Sequence, residues 1–271
     1  MFADKSTGGP VKRIAVANQK GGVGKTTVAL NLAAELDDLG FRVLAIDLDR
    51  QCNLTSGLGI NVPPERTVYQ LLIDGAQPDQ VITRLDRGAR GFDVIPGSPS
   101  LNVAEALLMT ETLRETRLAE CLEPVAGKYD FILFDCAPSL GVITMNAIVA
   151  ADWVLVPVET NQWAYDAIRD VHQMVNKLQK INPRVKITDI VPTVYDRRVG
   201  HHNAVLEALR ELAQTWPGGV AVHEPIAYSA RVVEASSKRV PLRDYDRGSA
   251  AADAFERLAG RLAQAAREAS V

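Results

Sequence analysis

Cysteine is scarce in this chain. Cys52, Cys121 and Cys136 are the only three among 271 residues, and none forms a C-x-x-C pair. That spacing argues against a disulfide framework and against a cysteine-built zinc site. Aromatic residues make up 6%, and Trp153, Trp163 and Trp216 read as core or interface aromatics rather than a base-stacking platform. No apolar run approaches the roughly 20 residues of a membrane span. An excess of positive charge is missing too: 30 Lys and Arg face 33 Asp and Glu, a net charge of −3, so composition alone does not announce a nucleic-acid binder. Internal repeats and long low-complexity tracts are absent. Residues 1–12 are expected to be a flexible tail, because Met1 to Pro10 are small, polar and glycine-bearing and unlike a targeting peptide. Residues 13–271 are expected to form one domain.

What the chain does have is Asn18-Gln19-Lys20-Gly21-Gly22-Val23-Gly24-Lys25-Thr26-Thr27. This is a bent form of the phosphate-binding spacing G-x-x-x-x-G-K-[ST], with Gln19-Lys20 in place of the first glycine and the glycines redistributed to 21, 22 and 24. The chemistry is intact. Glycines let backbone N–H groups turn inward around a phosphate chain, Lys25 reaches the β/γ oxygens, and the Thr26 hydroxyl can ligate Mg²⁺. An apolar strand candidate, Arg13 to Ala17, precedes the loop, and helical spacing from Val28 to Leu39 follows it, so the loop opens a helix whose N-terminus favours anions. Residues 20–27 (Lys20, Gly21, Gly22, Val23, Gly24, Lys25, Thr26, Thr27) are therefore the expected nucleotide contacts.

Strand candidates at 13–18, 42–48, 92–96, 130–135, 153–158, 186–194 and 220–226 alternate with helical patterns at 25–39, 115–126, 140–150, 163–181, 202–215 and 248–267. Strands rich in Val, Ile, Leu and Phe without clean alternation belong to a parallel sheet covered on both faces. The expected fold is α/β: one doubly wound, mostly parallel sheet flanked by helices, with the ligand beyond the carboxyl ends of the strands. Two carboxylates, Asp49 and Asp135, sit at such ends and can converge on the loop.

Three ordered motifs then carry a resemblance. They are the K-G-G-x-G-K-T loop with its additional Lys20, the strand Val43 to Asp49 followed by Gln51, Asn53, Thr55, Ser56, Gly57, Leu58 and Gly59, and the strand Tyr129 to Asp135 running into Cys136-Ala137-Pro138-Ser139. From about Arg13 to about Ala263 the chain resembles the ParA/Soj-type partition ATPases of the deviant Walker A superfamily. It departs from their pattern at Arg50, Cys52 and Cys136-Ala137, and Ile226-Ala227-Tyr228-Ser229 replaces a segment that in the family helps form the base pocket.

The resemblance implies a P-loop ATPase with ATP and Mg²⁺ as cofactors, weak alone and stimulated by a partner. Lys20, Lys25, Asp49 and Asp135 would be catalytic; Thr26, Asp49 and Asp135 would serve the metal. Lys20 would reach across an ATP-dependent homodimer to the partner's phosphates, Asp135 would hold Mg²⁺ through water, and Asp49 would help orient the attacking water. Asp47 reads instead as a packing or hydrogen-bonding residue. Basic residues concentrate at 197–247, where the resemblance assigns Arg198 and Arg231 to contacts with non-specific double-stranded DNA. A ParB-like centromere-binding or cargo-adaptor protein is the implied stimulating partner, with a cytoplasmic, nucleoid-associated location. The closing helix lacks the basic, bulky apolar face of a membrane anchor, so no membrane is expected. The alternative is an ATPase of the same superfamily that acts on a protein assembly or membrane-associated partner, MinD-like or of scaffold or carrier type, without DNA. His201-His202 read as a solvated helix start, since adjacent helical residues point about 100° apart.

Overall fold

The computed structural model describes residues 11–216 and 219–269. Of the expected tail, residues 1–10 lie outside that set, and Lys12 already opens the first strand. The strands are β1 Lys12–Val16, β2 Val43–Leu48, β3 Thr83–Arg87, β4 Arg90–Ile95, β5 Phe131–Cys136, β6 Trp153–Glu159, β7 Lys186–Thr193 and β8 Ala221–Val222. They form one sheet in the order β3-β4-β2-β5-β1-β6-β7-β8, in which every neighbouring pair is parallel except β3 with β4. The helices are α1 Lys25–Asp38, α2 Asn53–Gly57, α3 Val68–Leu72, α4 Pro78–Val81, α5 Leu101–Leu108, α6 Arg117–Leu122, α7 Val142–Ala150, α8 Ala164–Leu178, α9 Gly200–Thr215, α10 Ala230–Lys238, α11 Leu242–Tyr245 and α12 Ala250–Glu268.

The doubly wound α/β layer is as the apolar runs require. All six residues of β2 and all six of β5 are buried, because helices cover both faces of the sheet. One face packs residues of α3 through α9 around Ile132, Phe134 and Val154. The other packs α1, α10, α11 and α12 around Ile14, Leu133 and Leu155. Phe255, Leu258 and Leu262 of α12, spaced for one helical stripe, are all buried against that second face. No described helix is long and apolar enough to cross a membrane.

The strand expected at 92–96 is β4, but sequence patterning missed β3, its partner in the edge hairpin. Thr83–Arg87 is polar and alternates between partly buried and exposed positions, as an edge strand with one solvated face does. Its register is fixed by charge: Arg87 is nearly buried and bonds Asp37 at 2.8 Å and Asp244 at 2.7 Å, tying the hairpin to the end of α1 and to α11. Arg243 adds bonds from α11 to Glu35 and Asp38, and Glu256 lies 3.6 Å from it. The helices α2 to α5, α10 and α11 were not anticipated either; α2, α3, α4 and α11 are too brief to show a helical period.

Burial pushes the Glu35 carboxyl up to about 7, although Arg243 beside it pulls the other way. A carboxyl raised in the folded state favours folding while it is protonated; that contribution is complete below its unfolded value near pH 4.5 and is lost as pH rises through about 7. Glu35→Gln should therefore abolish part of the fall in melting temperature that wild type shows between pH 5 and pH 7.5. Thermal denaturation at constant ionic strength measures it, and parallel curves for the two proteins would contradict it.

Candidate nucleotide site

The loop between β1 and α1 is built for an anion. Gly22 and Gly24 have φ of 75° and 84°, left-handed values that side chains disfavour, and Gly24 is the residue from which α1 starts. No side chain caps α1 and its first turn carries no acid, so the free N–H groups and the helix dipole face the loop's interior. The loop is stitched to the neighbouring strand ends: Asn18 Nδ2 donates to Pro157 O at 2.7 Å, the Lys20 amide to Asn18 Oδ1 at 2.9 Å, and Thr193 Oγ1 to Val23 O at 2.9 Å. Lys25 Nζ donates to Lys20 O at 2.9 Å. Burial lowers the Lys25 ammonium below its ordinary value, against the opposing influence of Asp135 first and of Asp49.

Parallel pairing brings the acids to this loop. Val16 lies opposite Asp135 on β5, and Asp135 lies opposite Asp47 on β2. Asp47 is fully buried and accepts from the Thr55 amide at 2.9 Å, the Thr55 hydroxyl at 2.6 Å and the Asp49 amide at 3.2 Å. Thr55 Oγ1 in turn accepts from the Gly97 amide at 2.8 Å. A Cβ on Gly97 would stand 2.8 Å from the Asp47 carboxyl carbon, so only glycine admits this closure. Asp47 is thus a hydrogen-bonded strut, as its sequence position suggested. Asp49 is buried at the entrance of α2, its Oδ1 accepting from the Gln51 amide at 2.9 Å.

Asp135 differs from both. It is wholly buried, and neither carboxylate oxygen has a hydrogen-bond partner; the nearby Thr26 hydroxyl favours its charged form. Burial first, then the neighbouring Asp47, drives its pKa well above the ordinary carboxylate range. An unpartnered buried carboxyl beside two further acids and a lysine is an environment that calls for a cation. Among the described residues no three His, Cys, Asp or Glu side chains converge into an all-protein metal cage, including His201-His202. A carboxylate and a hydroxyl beside a phosphate cradle are what Mg²⁺ uses, since that ion takes one or two protein oxygens and completes its shell with phosphates and water. The residues present fit ATP with Mg²⁺.

Two hollows open from the loop. The larger, about 650 Å³, runs from Gly24 and Lys25 past Asp49 and Asn53 to Ser236 and Arg239. A smaller apolar one, about 190 Å³, lies beside Thr27 and is walled by Val194, Ile226, Tyr228 and Val232, so the segment Ile226 to Ser229 does border the loop. Arg198 and Arg231 line neither hollow and sit on segments joined by the parallel bridge between Tyr195 and Ala227. Both are exposed and both are paired within the chain: Arg198 with Asp196 at 2.7 Å, and Arg231 with Glu234 at 2.8 Å and Asp246 at 3.3 Å. Those pairings were not foreseen. Nor was Glu159, which ends β6 and accepts from Lys20 Nζ at 2.9 Å; the only signal for it in the sequence is an acid closing an apolar strand.

Comparison with known proteins agrees with this geometry. An AAA domain family model matches residues 11–187. The sporulation initiation inhibitor protein Soj of Bacillus subtilis is 37% identical over 254 residues, covering 93% of this chain and 98% of Soj. The structure of cobyrinic acid a,c-diamide synthase from Mycobacterium smegmatis with ADP and magnesium superposes with a TM-score of 0.78 at 31% identity, over 94% of each chain. An ATP complex of Cyanothece McdA gives 0.84 at 25% identity, over 94% of this chain and 98% of that one.

Removing the Thr55 hydroxyl should leave Asp47 short of a donor and the Gly97 amide short of an acceptor. Thr55→Val is expected to cost about 1–3 kcal/mol of stability, the range for stranding buried polar groups, while Thr55→Ser retains most of it. Urea unfolding at neutral pH measures the difference; a Thr55→Val midpoint equal to wild type would refute the strut.

Proposed function

We propose a function for this chain from one premise: it belongs to the ParA/Soj-type P-loop ATPases. It is a positioning ATPase that binds ATP with Mg²⁺, closes into an ATP-dependent sandwich dimer, holds double-stranded DNA without sequence preference and is returned to the monomer when a ParB-like or cargo-adaptor partner stimulates hydrolysis. The observation that carries the reading is the buried, unpartnered Asp135 carboxylate at the end of β5, directly beside a glycine loop with Lys25. Bound ATP and Mg²⁺ supply the phosphoanhydride and a divalent charge. The chain's own residues do the rest, because phosphoryl transfer depends on positioning and electrostatics rather than on a covalent nucleophile. Loop amides and Lys25 hold the phosphates, Thr26 and Asp135 serve the metal, Asp49 orients water, and Lys20 serves the partner's phosphates.

The DNA assignment is supported by the Tyr195–Ala227 bridge, which brings the two arginine segments side by side. Arg197, Lys238 and Arg239, in the same basic stretch, make no ion pair among the described residues. The pairs that occupy Arg198 and Arg231 are exposed to solvent and screened by it, so a phosphate backbone can displace the acids. A two-fold dimer doubles the cations presented, which suits a nucleoid-associated, cytoplasmic protein that binds DNA only with ATP.

Lys25→Ala should lose nucleotide binding, whereas Asp49→Ala should bind ATP yet turn it over at least ten-fold more slowly; equilibrium binding and phosphate release separate the two, and unimpaired turnover in Asp49→Ala removes that residue from the mechanism. In the ATP state, wild type should shift unrelated duplexes alike, with an affinity that falls steeply with salt. Replacing Arg198 and Arg231 together by Ala should weaken that shift for every sequence while sparing ATP binding. Equal shifts for wild type and the double variant reject the two arginines; no shift by wild type at low salt rejects DNA in favour of a protein assembly as the surface.

A further inference from the structure

We propose that Glu159 is a positioning residue for Lys20: it holds the lysine within its own subunit, and this ion pair must open before Lys20 can serve a partner. The inference rests on the dimer reading above. Lys20 Nζ lies 2.9 Å from Glu159 Oε2, with the two side chains 36% and 33% exposed. Neither end of the pair is loose. Glu159 is the last residue of β6 and lies in register with Thr193 of β7, whose hydroxyl fastens the loop at Val23. The Lys20 amide is fixed by Asn18. The lysine is therefore held within its own subunit by the end of β6.

The electrostatics make this a weak latch with a definite bias. A pair one-third exposed is only weakly held, so the denser negative charge of a triphosphate outcompetes one carboxylate. Once Lys20 leaves, the Glu159 carboxylate stands uncompensated beside the interface and opposes the incoming phosphates. Two-fold symmetry places two such latches in each dimer. Closure is held back until nucleotide charge is present on the partner, and ADP, lacking the terminal phosphate, offers Lys20 less.

Glu159→Gln removes the charge and keeps the shape and a hydrogen-bond acceptor. Two measurements test the latch on the full chain. Acetylation of Lys20 in the nucleotide-free protein, followed by mass spectrometry with Lys186 as internal reference, should accelerate at least two-fold in the variant. In an Asp49→Ala background with saturating ATP, the dimer dissociation constant from sedimentation should tighten by roughly ten-fold, as two pairs worth up to about five-fold each allow. Unchanged Lys20 acetylation overturns the contact. Faster acetylation with an unchanged dimer constant overturns its gating role. Faster acetylation with no dimer in either protein overturns the dimer reading itself, and the latch with it.

Discussion

Everything at the nucleotide end depends on burying negative charge where parallel strands finish. β1, β5 and β2 run side by side in register, so the acids on β5 and at the end of β2 arrive at the mouth of the glycine loop and nowhere else. The three acids meet that constraint differently. Asp47 is satisfied by Thr55 and by the Asp49 amide; Asp49 turns outward onto the start of α2 and is tied to the Gln51 amide; Asp135 is left without a partner. A low-dielectric pocket tolerates the first two as neighbours of the third only when positive charge is near. Lys25 is that charge, and its own lowered pKa reflects the burial it shares with them.

The loop and the sheet were legible because their chemistry is carried by the backbone. Glycine placement, a lysine after the last glycine and apolar strand runs each have one physical use at that spacing. Asp135 was legible for the same reason, as an acid terminating a buried strand. What escaped was held by side chains distant in sequence. The edge hairpin is fixed by Arg87 reaching Asp37 and Asp244, the role of Gly97 exists only because Asp47 comes to lie against it, and Glu159 becomes visible only when β6 lies beside β1. The arginines at 198 and 231 could be located from the sequence, yet their internal partners at 196, 234 and 246 could be assigned only in three dimensions.

The net charge of −3 counts charges that are partly spent inside the molecule. Four acids, Glu35, Asp37, Asp38 and Asp244, cluster at the far end of α1, where they neutralise Arg87 and Arg243. Charges consumed in that way contribute to stability and little to the external field. The residues that remain unpaired in the basic stretch after β7 then weigh more than whole-chain arithmetic suggests, within a screening distance of about 8–10 Å at moderate salt.

α10 deserves to be seen as a mechanical part. It is nine residues long, about 13 Å from end to end. Val232 borders both hollows of the nucleotide site, while Arg231 and Lys238 sit at the two ends. Ser229 pins its start by accepting from the Arg231 amide, and its end turns sharply at Arg239, whose φ of 59° is left-handed. Beyond that turn, Arg243 moors the chain to α1. With both ends held, the helix is a fixed wall of the larger hollow along Val232, Ala235 and Ser236, so the spacing of its two cations is set by the same packing that shapes that hollow.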